Sequence, residues 1–303
     1  MIPESARKAL EARLGADVRL DAPLARCTSL QVGGPADALA TPRDRRALAD
    51  LLGLCAAHAL PYAVLGGGFN TLVPDVGVRG VVIQLAHLRR LELRGPDTLY
   101  AEAGTSHARL VNFCRDRGLS GLEFGVGIPG TLGGWLAMNA GIPDRETRDV
   151  VREIEWMDAE GAQQSARRED LAFAYRSLRL APGAIVLAAL LAVAQAAPEA
   201  VREDMRRLLE RRAATQPIDR PSCGSVFKNP EGDHAGRLIE AAGLKGTCVG
   251  GAEISTLHAN FIVNRGGARA ADVLALIELA RSRVREHFGV ELETEVRVLG
   301  AHS

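Results

Sequence analysis

The chain has 303 residues, which is long for one hydrophobic core and predicts two or three domains. Hydrophobic residues make up 47% of it and charged residues 24%, and 37 basic residues balance 37 acidic ones, so the formal net charge is zero. This balance gives no support to a nucleic-acid partner or an anionic membrane surface. Any anionic ligand has to be bound by local cations and backbone amides.

The cysteines and apolar segments indicate a cytoplasmic protein without a membrane partner. The longest apolar run, residues 184–194, is too short to span a bilayer, and the N-terminal segment is an amphipathic helix pattern without a signal-peptide core. An odd number of widely spaced cysteines without a CxxC pair argues against a disulfide framework and against a zinc site. We therefore expect no metal and reduced thiols at Cys27, Cys55, Cys114, Cys223 and Cys248.

Helix and strand patterns alternate along the N-terminal half, which predicts a mixed α and β architecture. Thr41-Pro42 predicts the start of a helix, and strands follow at 62–65, 80–85 and 98–104. The apolar face of that helix contains Leu48, Leu51, Leu52 and Cys55. The next helix, "SHARLVNFCRD" (residues 106–116), has Gly118 in place for its C-terminal cap.

Two glycine-rich segments stand out. A strand that runs into Gly66-Gly67-Gly68 leaves consecutive N–H groups able to converge on phosphate oxygens. This loop is not a GxGxxG in front of a long helix, so it does not indicate a Rossmann site. The second segment, "GLEFGVGIPGTLGGWLAMNAG" (residues 121–141), combines seven glycines with apolar residues, unlike a flexible linker. Such backbone packs against another chain segment or a cofactor. Its length and glycine density favour a flavin dinucleotide held between both loops.

The C-terminal third starts with an Arg-rich helix at 198–217, with Met205, Leu208 and Leu209 predicted inward and a domain boundary near residue 200. A helix at 234–243, strands at 247–254 and 258–264, and a long helix from Ala270 to Phe288 follow. In the final strand, 290–300, a period of two puts four charged residues on one face. These are Glu291, Glu293, Glu295 and Arg297. By itself this pattern favours a solvated face.

Several short segments, taken together and in order, resemble the UDP-N-acetylenolpyruvoylglucosamine reductase (MurB) family. They run from about residue 27 to residue 300, and no tyrosine-bearing insertion is present, which is similar to the shorter type II-like subclass. The matching segments are "TSLQVGGPAD" (28–37), "LGGGFNTLV" (65–73), residues 121–141, "YRS" (175–177), "CGSVFKNP" (223–230), "AGLKG" (242–246), "HANFIVN" (258–264) and "LETEVRVLG" (292–300).

The resemblance implies an α+β fold, in which a two-lobed, PCMH-type FAD-binding region precedes a C-terminal α+β substrate domain. The expected domains are residues 1–80 and 81–199 for the two FAD-binding lobes and 200–303 for the substrate domain. It also implies NADPH-dependent reduction of UDP-N-acetyl-3-O-(1-carboxyvinyl)-glucosamine to UDP-N-acetylmuramate in peptidoglycan synthesis. FAD is expected to be noncovalent, and no oligomeric state follows.

The family's residue roles carry over to matching positions. Hydride is expected to pass from FADH2 to C3 and a proton from Ser225 to C2, while Arg176 and Glu295 stabilise the intermediate. The expected cofactor-binding residues are Leu65, Gly66, Gly67, Gly68, Phe69, Asn70, Leu72, Gly127, Ile128, Pro129, Gly130, Thr131, Gly133, Gly134, Asn139 and Gly141. The expected substrate-binding residues are Lys228, Asn229, Lys245, His258 and Asn260.

Three departures from the family pattern concern ligand contacts. Phe69 stands where relatives usually have serine, Leu257 where a lysine is frequent, and the loop at 142–146 differs. The competing functions are an FAD-dependent oxidase of the same cofactor fold, a non-catalytic nucleotide-sugar-binding paralogue and a flavin-storage protein. Oxidases often tether flavin through His or Cys near the first glycine loop, and residues 65–73 contain neither.

Overall fold

The computed structural model describes residues 2–300. Its α-helices are α1 (Glu4–Leu14), α2 (Arg45–Ala57), α3 (His107–Asp116), α4 (Leu132–Ala137), α5 (Pro198–Thr215), α6 (Ala235–Ala241) and α7 (Ala270–Phe288). Its strands are β1 (Val18–Pro23), β2 (Pro35–Ala40), β3 (Tyr62–Val64), β4 (Thr71–Leu72), β5 (Val78–Ile83), β6 (Leu91–Leu93), β7 (Thr98–Glu102), β8 (Leu119–Ser120), β9 (Gly141–Ile142), β10 (Arg145–Glu146), β11 (Val151–Met157), β12 (Gln163–Arg167), β13 (Ala172–Ala174), β14 (Ser177–Arg179), β15 (Ile185–Ala192), β16 (Ala194–Gln195), β17 (Ser222–Ser225), β18 (Cys248–Val249), β19 (Ala252–Ile254), β20 (Phe261–Asn264) and β21 (Arg297–Val298).

The described chain packs as two compact units, each assembled from three separate segments. The first unit contains residues 2–20, 38–67 and 80–211, and the second contains 21–37, 68–79 and 212–300. The second unit therefore takes its short N-terminal segments from the region in which the sequence predicts the first lobe. The three expected domains, 1–80, 81–199 and 200–303, stay a prediction.

Two hydrophobic cores build the first unit. One lies under a five-stranded antiparallel sheet in the order β12-β11-β15-β7-β6, where it includes Leu110, Trp135 and Leu191. The other buries the inner faces of α1 and α2, with β3 parallel to β5 beside them. The apolar run 184–194 forms the central strand β15 of the five-stranded sheet, which explains why it lacks charge.

One core organises the second unit. A four-stranded antiparallel sheet in the order β17-β20-β19-β18 packs against α6 and α7 through Phe227, Ile239, Val273 and Leu276, all nearly inaccessible to solvent. Helix α7 ends at Gly289, whose left-handed φ of 68° closes the helix at the residue that the sequence indicates.

Three details of the sequence-based elements were wrong. The N-cap of α2 is Asp44, whose carboxylate accepts from the Ala47 N–H at 2.8 Å, and not Thr41. On α5, Leu209 is 45% exposed, because the buried stripe runs through Val201 and Met205. The final strand is shorter than predicted: only Arg297–Val298 joins a sheet, although Leu292 and Val296 are buried as the period-two pattern requires.

No helix within residues 2–300 is both long enough and apolar enough to cross a bilayer. Over the same residues, no three His, Cys, Asp or Glu side chains are grouped so that they could hold a metal ion.

Candidate active site

Ser225 lies in a pocket of the second unit, at the end of β17. The pocket has a volume of about 340 Å³ and is lined by Ser225, Asn229, His234, Gly236, Arg237, Glu240, Leu257, His258, Ala259 and Asn260. The preceding Gly224 has a φ of 83°, which favours glycine, and a Cβ there would meet no atom of the described chain within 4 Å. The backbone turn, and not crowding, therefore accounts for this glycine.

The extended segment that carries Glu295 runs antiparallel to the segment that follows Ser225. The Glu295 N–H donates to the Val226 carbonyl at 2.8 Å, and the Lys228 N–H donates to the Glu293 carbonyl at 2.9 Å. Burial raises the pKa of the Cys223 thiol to about 12, and the nearby Glu295 carboxyl adds to this. The structure thus brings together two of the three predicted catalytic residues, Ser225 and Glu295.

Asparagine side chains shape the pocket in two different ways. Asn260 is buried, and its amide forms two hydrogen bonds to the Phe227 backbone, accepting from N–H at 2.9 Å and donating to the carbonyl at 2.8 Å. Asn229 is exposed, and its Oδ1 accepts from the Ala235 N–H at the start of α6. Asn260 thereby holds the strand after Ser225, while Asn229 contributes a polar group to the pocket wall.

His258 is partly buried in the pocket wall. Its Nδ1 accepts from the Asn260 N–H at 3.2 Å, so the neutral tautomer has its proton on Nε2. Burial, aided by the ammonium of Lys245, lowers the pKa of His258 below its ordinary value of 6.5. Lys245 itself forms an ion pair with Glu240 at 2.8 Å. At neutral pH the histidine is therefore an uncharged hydrogen-bond donor beside a cation.

We expect the imidazole of His258 to titrate below pH 6.5 in the folded protein, as measured by proton NMR. Lys245→Met should raise the midpoint towards 6.5 without reaching it, because burial is the larger cause and persists. Because the unfolded chain binds this proton more readily, the stability contribution of His258 is present above pH 6.5 and is lost as the pH falls below that value. An unchanged midpoint in Lys245→Met would contradict the assigned contact.

The two predicted glycine segments meet in the first unit. A Cβ placed on Gly66 would lie 3.0 Å from Oγ1 of Thr131, and one on Gly134 would lie 3.8 Å from the same atom. Thr131 precedes α4 but forms no side-chain cap with it, and Gly66 and Gly67 are exposed. This part of the chain offers exposed glycine backbone beside a threonine hydroxyl, which suits a phosphate-containing ligand.

A buried hydroxyl lies next to this surface. Thr105 is inaccessible to solvent, and its Oγ1 has no hydrogen-bond partner within residues 2–300. The Thr105 carbonyl accepts from the Leu132 N–H at 2.9 Å, so the threonine is attached to the second glycine segment. An unpaired buried hydroxyl is costly unless something else satisfies it. The glycine surface and this hydroxyl together fit a dinucleotide such as FAD.

Arg176 occupies the turn of the β13–β14 hairpin in the first unit, with an unusual left-handed φ of 55°. Its Nη2 donates to the Gly141 carbonyl at 3.2 Å, and its guanidinium lies 5.0 Å from the ring centroid of Tyr175. The buried Asn139 donates to the Ala174 carbonyl at 3.0 Å, which attaches the hairpin to the second glycine segment. A left-handed arginine held in this way is typical of a functional residue.

The remaining predicted ligand residues differ in accessibility. Gly127, Ile128, Pro129, Gly130 and Gly133 are half-buried along the second segment, whereas Leu65 and Leu72 are buried in cores. Gly68 has no room for a Cβ beside the Cys27 carbonyl, and Phe69 is 39% exposed. Lys228 forms an ion pair with Glu293 and does not line the pocket.

Sequence reasoning missed several pocket residues and the buried Thr105. Gly236, Arg237 and Glu240 lie on one face of α6, and His234 directly precedes that helix. Helical periodicity could have grouped the three α6 residues. Nothing in the sequence, however, distinguishes the face of α6 that lines a pocket from one that faces solvent.

Comparisons with known proteins identify both parts of the chain. Residues 216–299 match the family model of the UDP-N-acetylenolpyruvoylglucosamine reductase C-terminal domain, and residues 36–167 match an FAD binding domain. A UDP-N-acetylenolpyruvoylglucosamine reductase of Anaeromyxobacter dehalogenans is 53% identical over 92% of this chain and 85% of its own length. The chain belongs to the UDP-N-acetylenolpyruvoylglucosamine reductase family.

Two other members of the reductase family are also similar to this chain over most of its length. The one from Geobacter metallireducens is 47% identical over 96% of this chain and 97% of its own length. The crystal structure of the Thermus caldophilus enzyme superposes with a TM-score of 0.80 at 40% identity, covering 93% of this chain and 97% of that chain. Phl p 4.0202, a glucose dehydrogenase, shares the fold alone, with a TM-score of 0.52 at 16% identity over 64% of this chain and 45% of that chain.

The sequence-based family assignment is confirmed, and so is the fold class: an FAD-binding domain followed by the C-terminal domain of the reductase family. The chain is thus a flavoprotein oxidoreductase of that family. The roles of individual residues stay predictions.

Proposed function

We propose that the protein reduces UDP-N-acetyl-3-O-(1-carboxyvinyl)-glucosamine to UDP-N-acetylmuramate, with NADPH as the hydride donor and noncovalent FAD as the cofactor. Membership of the reductase family supports the reaction. The observation that supports the chemistry lies in the second unit, where Ser225 lines a pocket and an antiparallel segment bearing Glu295 is hydrogen-bonded to the next residue, Val226. A cytoplasmic location is part of the proposal, since all five cysteines are free thiols.

FAD held on the Gly66–Thr131 surface, once reduced by NADPH, would supply the hydride that C3 of the enolpyruvyl group receives. Negative charge then develops on C2 and its carboxylate. Ser225 retains its proton until that moment and donates it to C2, because a hydroxyl is too weak an acid to lose it earlier. The hydroxyl then regains a proton from water.

Arg176 and Glu295 stabilise the developing charge in this proposal. The guanidinium of Arg176 is a planar cation that can offer parallel N–H groups to a carboxylate, and its orientation is held by the Gly141 carbonyl and the hairpin turn. Glu295 in its protonated form donates a hydrogen bond to the other carboxylate oxygen. Asn229 and His258, which line the pocket, contact the sugar nucleotide. Lys245 and Lys228 reach it only if their ion pairs, with Glu240 and Glu293, open. Asn260 acts by holding Phe227.

We expect the purified protein to be yellow and to release intact FAD on denaturation. Under anaerobic conditions NADPH should bleach the flavin absorbance, and the enolpyruvyl sugar nucleotide should restore it. In heavy water, one deuterium should appear at the lactyl C2 of the product, because the serine hydroxyl exchanges with solvent. A colourless protein that takes up no FAD, or a flavin that the sugar nucleotide leaves reduced, would contradict the proposal.

A further inference from the structure

Asn70 ends the first glycine segment, and its polar groups contact two strands of the second unit. Its backbone N–H donates to the Cys223 carbonyl at 3.1 Å, and its side-chain Nδ2 donates to the Glu295 carbonyl at 3.0 Å. Its own carbonyl accepts from the Arg297 N–H at 3.1 Å. The side chain of Asn70, a residue that the sequence assigns to cofactor binding, thus donates to the backbone of a predicted catalytic residue.

These contacts close a ring around Ser225. Asn70 joins Cys223 to Glu295, and the Glu295 N–H returns to the Val226 carbonyl at 2.8 Å. Ser225 lies between Cys223 and Val226, so the strand is held to the Glu295 segment on both sides of the serine. The distance between the Ser225 and Glu295 backbones is therefore fixed on one side by Asn70 and on the other by the hydrogen bond from Glu295 to Val226.

The conformation of Asn70 explains why an asparagine suits this position. Its φ is 54°, in the left-handed region that asparagine tolerates better than most non-glycine residues. The following β4 pairs in parallel with β21, with Thr71 opposite Arg297, which continues the attachment beyond the ring. Glycine would accept the same φ, but it would lack the donor to the Glu295 carbonyl.

We propose that Asn70 is a positioning residue, whose amide sets the Glu295 backbone relative to Ser225 so that both reach the same enolpyruvyl group. This inference rests on the function proposed above. In this role Asn70 affects how Ser225 and Glu295 are placed against the substrate, and its side-chain amide makes no contact with FAD.

Two variants isolate the amide. Asn70→Asp keeps the shape and tolerates the left-handed φ but replaces the donor with an oxygen, and Asn70→Gly removes the side chain without straining the backbone. Thr71→Val is the matched control, because it removes only a hydrogen bond from Thr71 Oγ1 to the Phe69 carbonyl, 3.1 Å long, in the same loop.

In the holoenzyme, both Asn70 variants should keep full FAD content and normal flavin reduction by NADPH. Reoxidation by the enolpyruvyl sugar nucleotide should slow by about tenfold to 100-fold, the scale of a misplaced catalytic group. Independently of turnover, hydrogen exchange at the Glu295 and Val296 amides should speed up by about fivefold, as expected for one lost hydrogen bond. Thr71→Val should match the wild type in every measurement.

Three results would overturn the inference while the wild-type protein turns over normally. They are loss of FAD from the Asn70 variants, equal slowing of both half-reactions, and reoxidation and exchange rates equal to those of Thr71→Val. The first two would make Asn70 a cofactor ligand. Failure of the wild-type flavin to reoxidise is a different outcome, because it rejects the proposed function itself and, with it, this role for Asn70.

Discussion

Ser225→Ala is expected to leave NADPH reduction of the flavin intact and to slow its reoxidation by the enolpyruvyl sugar nucleotide by roughly 10²–10⁴-fold, the usual contribution of a positioned proton donor. Ser225 lines the pocket, and the strand on either side of it is attached to the Glu295 segment, so a methyl group can replace the hydroxyl without moving the backbone. What is lost is the proton for C2.

Anaerobic stopped-flow measurements of the two half-reactions provide the test. Ser222→Ala is the matched control, because it makes the same chemical change three residues earlier on β17, outside the pocket lining. The control should behave as wild type in both half-reactions. Normal reoxidation in Ser225→Ala would remove this serine from the mechanism, and equal slowing of both half-reactions would indicate a binding defect instead.

Arg176→Lys is expected to slow the same oxidative half-reaction by about 10²–10³-fold, the scale of one missing donor to a developing oxyanion. Lysine keeps the positive charge but offers a compact ammonium in place of a planar fork, so it cannot reproduce both the Gly141 contact and a bidentate carboxylate contact. We expect the loss mainly in the rate constant at saturating substrate, because the charge stabilised is larger in the transition state than in the substrate.

Arg179→Lys is the matched control, because it makes the same substitution at another arginine of the hairpin. Arg179 lies at the far end of β14, is exposed, and should tolerate lysine without effect on either half-reaction. A second variant, Arg176→Gly, accepts the left-handed φ of 55° and so separates backbone strain from loss of the guanidinium. Added guanidinium ion should restore part of its rate. Wild-type turnover in Arg176→Lys would show that the arginine has only a structural role.

Much of the fold follows from local patterns. Helix α2 buries the four predicted side chains, and α7 ends at the predicted glycine, because both depend on periodicity and on a backbone conformation that glycine supplies. The predictions that were wrong concern the N-cap of α2 and the burial of one side chain on α5. Leu209 is exposed because the narrow buried stripe of α5 does not reach it, and Asp44 caps α2 although Thr41-Pro42 has the stronger sequence signal.

The family, the cofactor domain and the order of the segments that match the family follow from the amino-acid sequence alone, because they depend on residue identity along the chain. The contacts that each side chain makes, in contrast, depend on the tertiary structure. In the folded protein the Asn70 amide donates to the Glu295 carbonyl, and the Asn260 amide forms two hydrogen bonds with the Phe227 backbone. The Thr105 hydroxyl is buried beside the glycine surface. Hydrogen bonds between residues more than 30 positions apart depend on how strands are paired and packed, and a local pattern contains no information on that pairing.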